Sequence, residues 1–244
     1  IDFTSRDDII ELGQAIGSVD ESEFKRLQIR KTIEEHLNKE LKLIPKGIKV
    51  LSLFFLDRVG NYRAYDADGN PTLGKFGKIF EEELYAILKK PKFKRLYPEI
   101  YSDGKLDDFA LKLLVSQVHN GYFAIDKKKD AKGNSIFKES TMSSKGQAAK
   151  SASDESAYNL IMKDKERLLD IKVKLRFIFS HSALKEGWDN PNVFQICTLN
   201  ETDSVMKKRQ EIGRGLRICV NQDGERVHGF EVNTLTVMAN ESYE

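Results

Sequence analysis

Gln210, Gly213, Arg214 and Arg217 fall at positions i, i+3, i+4 and i+7 of the segment QEIGRGLR. On a helix that spacing puts all four on one face, where apolar residues normally sit. Here the stripe is polar and cationic, and Val205, Ile212 and Leu216 lie on the other side. Two arginines on one face suit an anion such as a transferring phosphoryl group. Guanidinium is planar, permanently charged and able to grip phosphate oxygens in fork geometry. Gly213 and Gly215 each cost about 1 kcal/mol against Ala inside a helix. The pair therefore implies close approach by a neighbour or a ligand. On spacing alone, a solvated face with stray charges competes with this reading.

A second segment, SHSALKEGWDNPN at 180–192, follows an apolar strand-like run. Ligands of open α/β sheets bind beyond the carboxyl ends of strands, and the loop is expected at such an end. Gly187 permits a tight turn. Asp189 is suited to accept from a ribose hydroxyl or to orient an arginine. His181 and Ser182 open the loop and can donate to a phosphate. The plainer roles, a structural histidine and Trp188 as a core anchor, stand beside these.

These side chains need a frame. Asp20 and Glu23 have capping-box spacing, and Phe24, Leu27, Ile33, Leu37, Leu41 and Ile44 follow at mostly helical steps. Pro45 and Gly47 end that helix. IKVLSLFFL at 48–56 reads as a strand covered on both faces, the pattern of a parallel sheet. Helices are predicted at 80–88, 107–118, 153–169 and 203–217. Strands are predicted at 121–125, 175–179, 193–199 and 235–238. Strands alternating with helices imply an α/β fold with a mostly parallel sheet. Residues 1–20 read as a linker or trailing segment, and 21–244 as one domain with an insertion at about 57–152. Within it, 89–95 (KKPKFKR) is a basic stretch, and 126–152 reads as a long polar loop.

The chain has 244 residues, with 40 Lys+Arg against 38 Asp+Glu, a net charge of +2. That excludes an acidic tail and gives no overall basicity to argue for nucleic acid. Its 2 cysteines are too few for a disulfide framework or a four-cysteine zinc site, and no metal site is expected. No apolar run approaches ~18 residues, and no signal peptide opens the chain, so a cytoplasmic location without membrane contact is the expectation. The first residue is Ile, and Glu244 directly follows a strand-like run. Both suggest a piece of a longer polypeptide.

GWDNP at 187–191 is similar to motif V of superfamily 2 helicases, and QEIGRGLR at 210–217 fits their motif VI pattern QxxGRxxR. The order and the intervening strand fit as well. Phe54 or Phe55, ending the 48–56 strand, takes the place of the motif IV aromatic. The longer phrases FSHSALKEGWDNPNVFQICTLNET, KKRQEIGRGLR and VNTLTVMANESYE resemble the Res (restriction and translocation) subunits of type III restriction-modification enzymes. The resemblance covers roughly residues 28–244.

That resemblance implies the second, C-terminal RecA-like lobe of a helicase motor. ATP and Mg2+ would lie between two lobes, held mainly by a first lobe absent from this chain. Arg214 and Arg217 would be arginine fingers, with Gln210 bridging nucleotide and interface. Gly187, Asp189 and Gly213 would line the nucleotide site, and His181, Ser182 and Phe55 would contact DNA. The implied partners are double-stranded DNA, the first lobe and a nuclease domain of the same polypeptide, and a modification methyltransferase. The sequence has no GxxxxGK[ST], no DExx box after a strand and no complete nuclease signature. The segment alone is therefore expected to be inactive. The competing readings are a lobe of another superfamily 2 helicase, acting on RNA or in repair, and a non-catalytic module docking a partner through 57–152.

Overall fold

The computed structural model describes residues 21–66, 71–123, 125–129, 135–139, 159–181, 188–200, 209–210, 212–215 and 217–239. Ser182 and Gly187 lie outside the described residues, as do most of the predicted helix ahead of Arg209 and the 1–20 segment.

The centre is a five-stranded sheet. Its strands are β1 (Leu51–Phe55), β6 (His119–Phe123), β9 (Phe177–His181), β10 (Val193–Thr198) and β11 (Thr236–Met238), in the order β11-β10-β1-β9-β6. Every pairing within it is parallel. β1 and β10 are buried at every residue, which explains why both read as uninterrupted apolar runs. Alternate side chains serve opposite faces. Phe54, Phe177, Phe179 and Cys197 join one cluster, while Leu51, Leu53, Phe55, Ile178 and Ile196 join another. This parallel sheet flanked by helices is the α/β arrangement expected of a RecA-like lobe.

The first face is covered by α1 (Glu21–Leu43), α2 (Lys75–Leu88) and α3 (Asp108–Gln117). Phe80 of α2 meets Phe54, Phe177 and Phe179 edge-on, with centroids at 5.7, 4.9 and 5.3 Å. α1 stops as predicted: a 3-10 turn at Ile44–Lys46 runs into Gly47 at φ 69°, a left-handed value that glycine takes without strain. Asp107 caps α3, accepting from the amides of Phe109 and Ala110. The opposite face is covered by a π-helical turn at Asn159–Lys163 and by α4 (Lys165–Leu168), with Ile161 and Leu168 buried against the sheet. The long helix predicted over 153–169 is broken here, because the Asp164 side chain accepts from the Arg167 amide and starts a new turn.

Two findings refine the expectations. α1 carries a second buried stripe, Gln28, Thr32, His36 and Glu40, beside Ile29, Ile33 and Leu37, while the predicted core residue Leu27 is 47% exposed. A helix wedged between the sheet and α2 buries two faces, so its pattern is broader than one apolar stripe. Within 57–152, α2, α3 and β6 belong to the main body. Three antiparallel pairs accompany them: β2 (Arg63–Tyr65) with β3 (Pro71–Leu73), β4 (Tyr101–Ser102) with β5 (Lys105–Leu106), and β7 (Ile125–Lys129) with β8 (Ser135–Glu139). The last occupies part of the stretch read as a polar loop. No helix among the described residues is long and apolar enough to cross a membrane. Both cysteines are buried and free, and burial pushes the Cys197 thiol up to about 12.

Candidate functional site

The two motif segments meet. Arg209, Gln210, Ile212 and Gly213 are helical, a turn follows at Arg214 and Gly215, and Arg217 lies in a bend, so the helix predicted to run to 217 ends sooner and Arg217 is not on its face. Arg214 Nη1 donates to the Trp188 carbonyl at 3.1 Å, and Arg217 Nε donates to Asp189 Oδ2 at 3.2 Å. The other Asp189 oxygen, Oδ1, faces Lys165 Nζ at 3.7 Å. One carboxylate is therefore shared by two cations from different segments.

Packing and hydrogen bonds set this registry. Trp188 is 3% exposed and its indole N–H donates to the Ile161 carbonyl at 2.9 Å, tying the motif V segment to the π-helical turn. Asn192 Oδ1 accepts from the Val220 amide at 2.8 Å and its Nδ2 donates to the Val220 carbonyl at 2.9 Å. That pair fastens the chain after Arg217 to the start of β10. The two glycines differ. A Cβ on Gly215 would stand 2.5 Å from Leu235 Cδ1 and 3.2 Å from Ile196 Cδ1, so any larger residue there must displace the Leu235 side chain. A Cβ on Gly213 would meet nothing within 4 Å among the described residues. Gln210 is exposed.

Beside this cluster lies a cleft of about 1060 Å³. Its wall includes Lys165, Asp189, Asn190, Arg217, Gln222 and Arg226. Asn190 is fully buried, and its Nδ2 has no hydrogen-bond partner among the described residues. A donor left without an acceptor costs about 1–3 kcal/mol unless something else satisfies it. Four basic side chains, Lys165, Lys172, Arg217 and Arg226, share the lining with four acidic ones, Glu166, Asp170, Asp189 and Asp223, so the cleft is polar and charge-balanced, with the basic groups placed to meet an anion only locally around Arg217. Among the described residues no group of three His, Cys, Asp or Glu side chains could hold a metal ion.

The opposite wall of the cleft, the turn at 169–174, is held from beneath by two buried cations. Lys49 Nζ donates to the carbonyls of Asp170 and Val173 at 2.9 and 2.7 Å. Arg176 donates to the carbonyls of Val173, Lys174 and Ile171 at 3.1, 2.8 and 3.3 Å, and through Nε to Glu40 Oε1 at 2.6 Å. Glu40 also accepts from the Tyr97 hydroxyl at 2.7 Å, and His36 Nε2 lies 3.5 Å away. Burial pushes the Glu40 carboxyl up, but the Arg176 charge, the neighbouring His36 ring and the Tyr97 hydrogen bond outweigh it and hold it down at about 2. Burial, reinforced by Arg176, lowers Lys49 to about 7. Sequence reasoning missed this network, as it missed Lys165. The one available signal was the polar stripe of α1 at four-residue steps.

The other predicted residues lie elsewhere. His181 ends β9, half-buried and paired in register with Phe123 of β6. Phe55 ends β1, 5% exposed and packed with Leu51, Leu53 and Ile178. Both are at the carboxyl edge of the sheet. Trp188 to Asn192 are at the amino edge, since Val193 pairs with Leu51 at the start of β1. The 180–192 segment, expected wholly at the carboxyl edge, has its described ends, His181 and Trp188–Asn192, at opposite edges of the sheet.

No known protein-family model matches the chain. It is 37% identical over 196 residues to the Res subunit of the type III restriction-modification enzyme EcoP15I from Escherichia coli. It has the same identity over the same length to the EcoPI Res subunit from Escherichia phage P1. Each match covers 80% of this chain and 17% of the relative. The StyLTI Res subunit of Salmonella typhimurium is 31% identical over 225 residues, 85% of this chain and 20% of the relative. The chain thus spans a fifth or less of the length of these curated relatives.

Proposed function

We propose that this Res-like chain, similar over four-fifths of its length to part of type III Res subunits, is the second RecA-like lobe of an ATP-driven DNA translocase within a restriction endonuclease. One observation carries the reading. Both arginines of QEIGRGLR are bonded onto the Trp188–Asp189 pair of GWDNP, at the wall of a cleft with basic and amide donors. Two arginines bonded back onto one loop in this way are poor support for a merely solvated charged face.

In this reading Arg217 stabilises charge on the γ-phosphoryl group of ATP, and Arg214 braces the loop and the interface with the first lobe. ATP, with Mg2+ held mainly by that first lobe, supplies the free energy for movement. Gln210 reaches across the lobe interface. Asp189 orients Arg217 and offers a hydrogen bond to the nucleotide, with Gly187 and Gly213 leaving room for it. His181, Ser182 and the Phe55 edge follow the DNA backbone, where contacts are independent of sequence and sensitive to salt. The domain division into a 1–20 linker and a 21–244 lobe belongs to the same reading. So do the remaining partners, a nuclease domain of the same polypeptide and a modification methyltransferase that reads the site.

The test uses the complete polypeptide with its methyltransferase partner, with and without duplex DNA. Arg217→Ala should lower DNA-stimulated ATP turnover by ~10³-fold or more, the scale of a lost arginine finger in related NTPases. Arg214→Ala should also impair it. Turnover indifferent to both substitutions would move the reading to a partner-docking module.

A further inference from the structure

Asp189 offers one oxygen to Arg217 and the other to Lys165, at 3.2 and 3.7 Å. All three side chains are partly open to solvent, at 46, 47 and 38% exposure. Such pairs are weak enough to exchange. Resting on the function proposed above, we propose that Lys165 is a positioning residue for Arg217. It keeps Asp189 neutralised when Arg217 leaves that carboxylate for the γ-phosphate.

The argument is electrostatic and mechanical. If Arg217 turned to a phosphate with nothing else on Asp189, a bare carboxylate would face the incoming anion. That repulsion would oppose the move, and Asp189 would hold the arginine back. A second cation on the other oxygen removes both penalties. Lys165 is fixed for this purpose independently of Arg217. It opens α4, whose cap is Asp164 and whose Leu168 is fully buried. The preceding π-helical turn is bonded to Trp188, next to Asp189 in the chain. Lys165 and Asp189 therefore share one packed unit, while Arg217 comes from another segment and can move against it.

The experiment measures affinity, by calorimetry on the complete polypeptide, for ADP and for the β,γ-imido analogue of ATP, each with magnesium. Lys165→Met should weaken the ATP analogue about two- to five-fold, the scale of one partly exposed ion pair, and leave ADP unchanged. Lys165→Arg should restore wild-type affinity. With Arg217→Ala already present, Lys165→Met should have no further effect, because the coupling runs through Arg217. Equal weakening of both nucleotides would make Lys165 a direct phosphate ligand and overturn the proposal. So would an undiminished effect in the Arg217→Ala background, or no effect of Lys165→Met where Arg217→Ala does weaken the analogue. If Arg217→Ala itself spares the analogue, the finger assignment fails, and the positioning role goes with it.

Discussion

Glu40 and Asp189 each bind an arginine at hydrogen-bond distance, 2.6 Å to Arg176 and 3.2 Å to Arg217. Their surroundings differ sharply. The Glu40 and Arg176 side chains are 0 and 8% exposed, whereas Asp189 and Arg217 are 46 and 47% exposed. The first pair is further tied by Tyr97 and three backbone carbonyls, and burial leaves no water to solvate either ion if the other is removed. The second pair sits by a cleft, where water or an anion can replace either partner. The same chemistry thus makes a fixed floor in one place and an exchangeable contact in the other. The floor carries the 169–174 turn that contributes to the cleft wall, so the buried pair supports the surroundings of the exposed one.

The comparison breaks most visibly at Glu40. Removing one member of a buried ion pair typically costs about 3–5 kcal/mol, because the remaining charge stays buried and uncompensated. Glu40→Ala should lose that much stability in urea unfolding at neutral pH. A Glu40→Leu, Arg176→Met double variant should recover part of it, since the uncompensated Arg176 charge is then gone and Lys49 keeps its carbonyl partners. A cost below about 1 kcal/mol for Glu40→Ala would mean that the floor is no stronger than a surface pair.

Acid sharpens the same point with a smaller effect. Glu40 is held at about 2 in the fold, against an ordinary 4.5. Below 4.5 the unfolded chain takes up a proton that the folded chain refuses, so the stability from Glu40 is present above 4.5 and is lost as pH falls toward 2. Urea midpoints followed across that window should fall less steeply for Glu40→Gln than for the wild type. Parallel curves would show that Arg176 does not keep Glu40 ionised.

The two clusters also differ in how far the sequence reveals them. LSLFF, FIFSH and VFQICT are legible because a parallel strand buried on both faces must be apolar nearly throughout. Arg214, Arg217 and Asp189 are legible from the QEIGRGLR and GWDNP phrases, but not through one helical face, because Arg214 lies in a turn and Arg217 in a bend beyond the helix. The Glu40–Arg176 pair is not legible, since its members lie 136 residues apart and neither the polar stripe of α1 nor an arginine in the predicted 175–179 strand names its partner. Lys165 is hidden for a similar reason. One lysine in a charged stretch gains meaning only when the Ile161–Trp188 bond brings it to Asp189. Local pattern thus reports each element's own face, and long-range pairs need the assembled sheet.

The smallest expected effect tests the exposed side. A partly exposed ion pair contributes about 0.2–1 kcal/mol, because water competes for both partners and ordering two flexible side chains costs entropy. Asp189→Ala should therefore change urea stability by no more than about 1 kcal/mol, and that change should shrink further as salt is added. Trp188 remains anchored to Ile161 and Asn192 to Val220, so the loop keeps its place without the carboxylate. A loss of several kcal/mol would put Asp189 in the same class as Glu40, a rigid element of the frame. Arg217 would then be held too tightly to exchange Asp189 for a phosphate, and the contrast between floor and cleft would collapse.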